Sequence, residues 1–274
     1  MTKINSFETF LRDKVLEKTA GAPRKIADGI KYCLFDGGKR LRPSSLIAAA
    51  EMYSEADESV MYFAAAVECY HNFTLVHDDL PCMDDDDMRR GKPSCHKVYG
   101  EGQAVLIGDA LLNLAYCFIL ESISLARDFR TALYAAQKFC YLSGAEGLIG
   151  GQSADIDAEC QNTAENIDYI YKHKTGDLFC ASIAAGAMLG GADDEQVAAM
   201  EKFAYCYGNL FQLTDDLLDE NKNELHSALK CMDRDQAVKL AAEYARKAKA
   251  YLDKSGKTCD FFRELLEKTL KRQK

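Results

Sequence analysis

Residues 64–96 read AAAVECYHNFTLVHDDLPCMDDDDMRRGKPSCH, and this stretch decides the fold. Val60, Met61, Tyr62 and Phe63 lead into it with further apolar side chains. With Val67, Tyr70, Phe73, Leu75 and Val76 they surround a helix on nearly all sides, the pattern of a central buried helix. Its polar residues are not scattered. At about 100° per residue, His71, Thr74 and Asp78 fall within about 60° of one another. A polar stripe on a buried helix must face something polar, because unpaired burial costs about 1–3 kcal/mol per group. The run ends in carboxylates: Asp78 and Asp79, then Asp84 to Asp87 after Pro81.

Residues 211–220, FQLTDDLLDE, repeat the arrangement. Val197, Met200, Ala204, Tyr207, Phe211 and Leu218 form an apolar seam, and Gln212, Asp215 and Asp219 lie within about 60° of one another on a different face. Gly208 sits one turn earlier on that face, where a missing side chain leaves room. Carboxylates gathered in one cavity repel: two unit charges ~4 Å apart cost about 4 kcal/mol at an effective dielectric of ~20. Hard divalent cations remove that cost, and magnesium binds through one or two carboxylates plus substrate phosphates. Two aspartate-rich helix ends therefore suit a metal–diphosphate. A solvated acidic helix end is the alternative for either cluster alone, and Asp85, Asp86 and Asp87 fit it.

Basic groups accompany the acids. Residues 37–43, GGKRLRP, put Lys39, Arg40 and Arg42 on a flexible glycine turn just before a helix. Arg89, Arg90 and Lys92 follow the first aspartate cluster directly. His173–Lys174–Thr175–Gly176 lies within a mostly apolar helical segment. An unpaired lysine there is costly, so Lys174 is expected to have an anionic partner.

The rest of the 274-residue chain reads as helices, with no convincing alternating strand. Pro23 marks a first helical turn, and Gly37–Gly38 ends the helix that follows. Pro43 opens a helix to Tyr53, and Asp57 caps one to about Asp79. A polar loop is expected from Pro81 to about Gly102. Further helices are expected over Gln103–Glu121, Arg127–Ser143 and Gly147–Glu159. Thr163 caps one that continues through Lys174 to Met188, and others cover Asp194–Asp219, Asp233–Asp253 and Thr258–Arg272. No linker or repeat divides the chain, so residues 1–274 read as one domain.

The net charge of −9 makes nucleic acid an improbable partner. The 11 cysteines are odd in number and sit among apolar neighbours, which reads as buried free thiols in a reducing cytosol. Residues 1–10 have no apolar core and read as no signal peptide, and the uncharged stretch Leu178–Ala192 is too short to span a bilayer. The expectation is a cytoplasmic protein without stable membrane insertion.

Six motifs now carry a resemblance: GGKRLRP, the 64–96 stretch, GDALL, GGQSADIDAE, YKHKTGDL and FQLTDDLLD. Together they are specific and span nearly the whole chain. The sequence resembles the trans-isoprenyl diphosphate synthases, within them the bacterial farnesyl and plant-type geranylgeranyl diphosphate synthases. The resemblance implies an all-α, antiparallel helical bundle around a deep central cavity, usually a homodimer. It implies condensation of isopentenyl diphosphate with allylic diphosphates by ionisation, condensation and elimination, with magnesium as cofactor. Matched by motif, Asp78, Asp84 and Asp215 look like magnesium ligands, with Asp79, Asp216 and Asp219 as direct or water-mediated helpers. Lys39, Arg42, His71 and Arg90 resemble the isopentenyl diphosphate pocket. Arg89, Lys174, Thr175 and Gln212 resemble the groups around the allylic diphosphate.

The tail of the growing product is expected to run alongside the first aspartate helix, with Phe73 and Thr74 one turn below Asp78 as its floor. In the family a bulky aromatic at this level tends to stop growth at fifteen carbons, which makes farnesyl diphosphate the expected product. The chain departs from the family after Asp219, where ENKNELHSALKCMDRDQA replaces a longer glycine- and lysine-containing loop, and Lys222 is the nearby lysine. The competing readings are a geranylgeranyl diphosphate synthase, a partner subunit of low or no activity, and a terpene cyclase. Intact GGKRLRP, His71 and Arg90 favour elongation over cyclisation.

Overall fold

An apolar repeat of 3.6 residues runs through almost all of the chain, and the computed structural model answers it with helices. The structure describes residues 3–35, 37–218 and 225–272, so Asp219 and Lys222 lie outside the described residues. The fold is all-α, and two compact units are distinguished: Met1–Ser44 with Asp57–Arg127, and Ser45–Ala56 with Asp128–Lys274.

The first unit holds α1 (Lys3–Lys18), α2 (Arg24–Phe35), the start of α3 (Leu41–Glu51), α4 (Glu58–Asp78), α5 (Cys95–Tyr99) and α6 (Glu101–Leu125). Asp57 caps α4 as expected, its side chain accepting from the Val60 N–H at 3.2 Å. Phe63, Val67 and Tyr70 of α4 are buried, as are Ile107, Leu111, Ala115 and Phe118 of α6, and the two helices pack along their lengths. Glycine permits that closeness: a Cβ on Gly108 would stand 2.1 Å from the His77 ring. Among the described helices, α6 is the one long and apolar enough to cross a membrane, but its inner face is committed to α4.

The segment expected as a polar loop is more structured than that. A short hairpin pairs β1 (Met88–Arg89) with β2 (Lys92–Pro93). Its two turn residues, Arg90 and Gly91, have φ of 53° and 80°, as a type I′ turn requires. An arginine in place of the usual Asn or Asp hides that turn from a sequence reading. α5 follows, and α6 begins at Glu101 rather than Gln103.

The second unit holds the rest of α3, then α7 (Phe129–Ser143), α8 (Leu148–Asp155), α9 (Ala164–Ile170) and α10 (Asp177–Gly190). After these come α11 (Asp194–Leu218), α12 (Arg234–Lys254) and α13 (Asp260–Lys271). α10 is buried nearly all round. A Cβ on its Gly186 would meet the Leu46 carbonyl oxygen at 2.1 Å, so only glycine lets α3 lie so near. Asp233 and Gln236 form a capping box that starts α12, whose Ala237, Ala241, Ala245 and Ala248 are buried one turn apart.

Sequence periodicity predicts one helix from Thr163 to Met188. The structure breaks it with a π-helical turn, Tyr171–Gly176, between α9 and α10. Backbone is squeezed against this turn from two sides. A Cβ on Gly151 of α8 would lie 2.2 Å from the Lys174 nitrogen, and one on Gly208 of α11 would lie 2.8 Å from the Gly176 Cα. The room at Gly208 thus belongs to a neighbouring backbone, which corrects its reading as open space.

Candidate active site

In the first unit, α4 delivers its carboxylates at a folded-back turn. The Asp84 N–H donates to the Asp78 carbonyl at 2.9 Å and the Asp85 N–H to the Leu80 carbonyl at 3.1 Å. The backbones of Asp78 and Asp84, six residues apart in sequence, are therefore adjacent. Asp79 is 2% exposed and accepts from Arg89 Nε at 2.8 Å as well as from Arg89 Nη2. Burial pushes its carboxyl up, against the pull of the guanidinium. Arg89 also reaches Asp86 at 2.9 Å. Asp85, Asp87 and His96 offer ligand atoms within 4.8 Å of one another, and Asp87 also pairs with Lys97.

Three of the cations expected to bind isopentenyl diphosphate lie in this unit in distinct states. Lys39 is exposed. Arg42 Nη1 donates to His71 Nε2 at 3.3 Å. Arg90 lies against the glycine turn: a Cβ on Gly38 would meet its Cζ at 2.8 Å, and its Nη1 donates to Asn72 Oδ1 at 3.1 Å. The paired glycines therefore make room for a guanidinium, more than they supply flexibility. Arg40 points elsewhere and is no part of this basic group. It is 4% exposed and bonded to Glu8, Glu68 and the Leu34 carbonyl.

His71 is neutral in this setting. Burial, then Arg42 and Arg90, hold its pKa well below the usual value of 6.5. The unfolded chain binds a proton near 6.5 that the folded chain refuses, so His71 lends stability above that pH and loses it below. Lowering the pH from 7 towards 5 is expected to depress the melting temperature, and His71→Gln to flatten that part of the profile. Parallel profiles for the two proteins would show that His71 does not carry the effect.

The residues expected to floor the product tail sit on the same helix. Phe73 is half-buried, its ring edge-on to Tyr70 at 5.2 Å and to His77 at 4.9 Å. Thr74 Oγ1 donates back to the His71 carbonyl at 2.9 Å.

In the second unit, the π-helical turn places Thr175 beside α11, and Thr175 Oγ1 donates to Gln212 Oε1 at 2.9 Å. These two residues, 37 apart in sequence and both matched by motif to the allylic diphosphate, are bonded to each other. Lys174 pairs with Asp155, at the end of α8. Asp215 pairs with Arg272 at 3.1 Å, and Arg272 also lies over the Phe211 ring at 5.5 Å. Asp216 is 3% exposed, and its Oδ2 accepts from Tyr171, from Ser227 Oγ at 2.6 Å and from the Ala228 N–H at 2.7 Å. That oxygen anchors α11 to the residues that follow it.

Several groups escaped the sequence reading. Asp177 is fully buried and accepts from His173 Nδ1 at 2.7 Å and Tyr205 Oη at 2.8 Å. Burial pushes its carboxyl up. Its signal was present: a lone acid heading an apolar helix needs partners. Arg272 and Asp155 had no such signal, because their partners lie far away in sequence. Cys82 and Cys140 are exposed, against the expectation of burial.

The donor set fits magnesium. The aspartates at the two helix ends supply only carboxylate oxygens, the ligands a hard divalent cation prefers.

The polyprenyl synthetase family model matches residues 23–239. The chain is 44% identical over 226 residues to a chloroplastic geranylgeranyl pyrophosphate synthase of Catharanthus roseus, an alignment covering 81% of this chain and 61% of that protein. It is 39% identical to the farnesyl diphosphate synthase of Geobacillus stearothermophilus, covering 75% of this chain and 69% of that one. The chain thus spans less than two thirds of the length of the Catharanthus relative. Its structure resembles that of an FPP/GFPP synthase from Zymomonas mobilis, with a TM-score of 0.87, 30% identity and 98% of both chains covered. With aspartates ending two apolar helices, a basic glycine turn ahead of the first, and a family match across most of its length, this chain belongs to the polyprenyl synthetase family.

Proposed function

We propose that this protein is a magnesium-dependent, short-chain prenyltransferase. It condenses isopentenyl diphosphate with dimethylallyl and geranyl diphosphates, and its main product is farnesyl diphosphate. The observation that carries this reading is the grouping of Arg42, neutral His71 and Arg90 at the glycine turn, a site for the diphosphate of a second substrate. A cyclase has no need of one. Residues 1–274 act as one isoprenoid synthase domain, a reading supported by a family match that includes parts of both units.

Asp78, Asp84 and Asp215 would hold magnesium, with Asp79, Asp216 and Asp219 as helpers. When bound, the metal supplies the positive charge that stabilises a departing diphosphate. Arg89 and Lys174 donate charge-assisted hydrogen bonds to the allylic diphosphate, and Asp79 and Asp155 aim them. The oxygens of Thr175 and Gln212, which bond to each other, would face the positive charge that develops on the allylic carbons. Lys39, Arg42, His71 and Arg90 hold isopentenyl diphosphate so that its double bond attacks that carbon. The proton lost afterwards goes to the released diphosphate, so no protein base is needed, and the attacking double bond makes a protein nucleophile unnecessary.

The test is incubation of the purified protein with isopentenyl diphosphate, magnesium and each allylic diphosphate in turn, with product length measured. Mostly fifteen-carbon product is expected, and Phe73→Ala should open space for about one more isoprene unit and shift it towards twenty carbons. An unchanged distribution in that variant would move the floor away from Phe73. Absence of condensation with every allylic substrate would favour a partner subunit of low activity, and a twenty-carbon product the geranylgeranyl reading. The relatives lend that second reading support, since the Catharanthus protein is named a geranylgeranyl pyrophosphate synthase. A homodimer is the proposed assembly, supported by the outward face of α6, where Leu106 and Leu120 are 52% and 66% exposed.

A further inference from the structure

Glu8, Arg40, Glu68 and Asn72 have no part in the chemistry proposed above, yet they form a bonded chain that ends on Arg90. Arg40 sits in the left-handed region at φ 49°, which a non-glycine residue adopts only when its surroundings hold it there. What holds it is its side chain. Nε donates to Glu8 Oε1 at 2.6 Å, Nη1 to Glu68 Oε1 at 2.6 Å and Nη2 to the Leu34 carbonyl at 2.5 Å. Glu68 is 1% exposed and carries its charge against that guanidinium.

A charged carboxylate only accepts hydrogen bonds, and this dictates what comes next. Asn72 Nδ2 donates to Glu68 Oε1 at 3.0 Å and to the Glu68 carbonyl at 2.8 Å. The amide cannot be turned the other way without setting its oxygen against the Glu68 oxygens. Its Oδ1 is therefore forced to face Arg90, whose Nη1 donates to it at 3.1 Å and to the Gly37 carbonyl at 3.4 Å. Donation thus converges on Glu68, from Arg40 on one side and from Arg90 through Asn72 on the other. Asn72 is neutral, so it fixes the guanidinium without cancelling its charge, as an aspartate there would. The remaining N–H groups of Arg90 keep their donor capacity for an anion.

We infer that Asn72, oriented by the buried Arg40–Glu68 pair, is a positioning residue for Arg90 and thereby sets the affinity for the homoallylic diphosphate. This rests on the reading of Arg90 as a ligand of that head group. Loss of the Asn72 contact leaves Arg90 charged but less firmly oriented, with the longer Gly37 contact remaining, so the effect should fall on one substrate and not on the other.

The experiment is a double-mutant cycle of Asn72→Leu and Arg90→Ala, with Asn72→Ser as the milder variant in case the buried leucine prevents folding. The Michaelis constants for isopentenyl and geranyl diphosphate are measured for each protein, with isopentenyl diphosphate binding followed by calorimetry. Asn72→Leu is expected to raise the constant for isopentenyl diphosphate about tenfold, the scale of one hydrogen bond to a charged group. The constant for geranyl diphosphate should change less than about twofold. In the Arg90→Ala background Asn72→Leu should add nothing. Asn72→Asp should weaken isopentenyl diphosphate at least as much, because it neutralises Arg90. Equal effects on both substrates, or full additivity with Arg90→Ala, would show that Asn72 serves only the fold. If Arg90→Ala itself leaves isopentenyl diphosphate binding intact, the head-group reading of Arg90 fails, and the inference with it.

Discussion

Asp78→Ala and Asp215→Ala are each expected to lower turnover by about a hundredfold to a thousandfold, the scale of losing one preorganised stabiliser of developing charge. The reason lies in the kind of residue each helix ends on. α4 and α11 are largely buried, and neither gains packing from a terminal carboxylate. Asp78 ends α4, with its carbonyl bound to the Asp84 N–H, and that bond survives a change of side chain. Asp215 loses its pair with Arg272, a partly exposed contact worth about 0–1 kcal/mol. The fold should therefore persist in both variants. The second readout is independent of catalysis: magnesium with a diphosphate should raise the melting temperature of the parent protein and raise that of either variant much less. Near-normal turnover in both variants would remove these carboxylates from the proposed site.

Arg40→Met should cost about 3–5 kcal/mol of stability, while Lys39→Met, one residue away, should change it by less than about 0.5 kcal/mol. The asymmetry follows from burial. Lys39 is exposed, whereas removing the Arg40 guanidinium strands the charge of Glu68 in the interior. Among the described residues Glu68 Oε2 is buried without a hydrogen-bond partner, and the neutral Asn72 amide on Oε1 brings no charge to replace the guanidinium. Glu8 suffers less, because its side chain is 40% exposed and water can replace the lost bonds. Urea unfolding of the two variants beside the parent protein checks this. Equal, small losses would mean that Arg40 is not the anchor its bonds make it.

The amino-acid sequence alone determined the fold class and the chemical character of the site. The reason is local: the 3.6-residue apolar repeat, the Asp57 and Thr163 caps and the aspartates closing two apolar helices all act within a few residues of themselves. Gln212 was also legible, because it sits on a polar stripe that had to face something polar, whereas Thr175 was reached by motif resemblance. Tertiary structure decided the rest, because the sequence carries no sign of which distant group fills a given space. It turned Arg40 inward to Glu68 while its neighbour Lys39 stayed in water. It gave Lys174 to Asp155 and Asp215 to Arg272. It also broke a helix of unbroken periodicity at Tyr171–Gly176, where Gly151 and Gly208 let two other helices press on the backbone. Periodicity reports which face of a helix is apolar, and only the packed neighbours settle what that face, or a charge beside it, will touch.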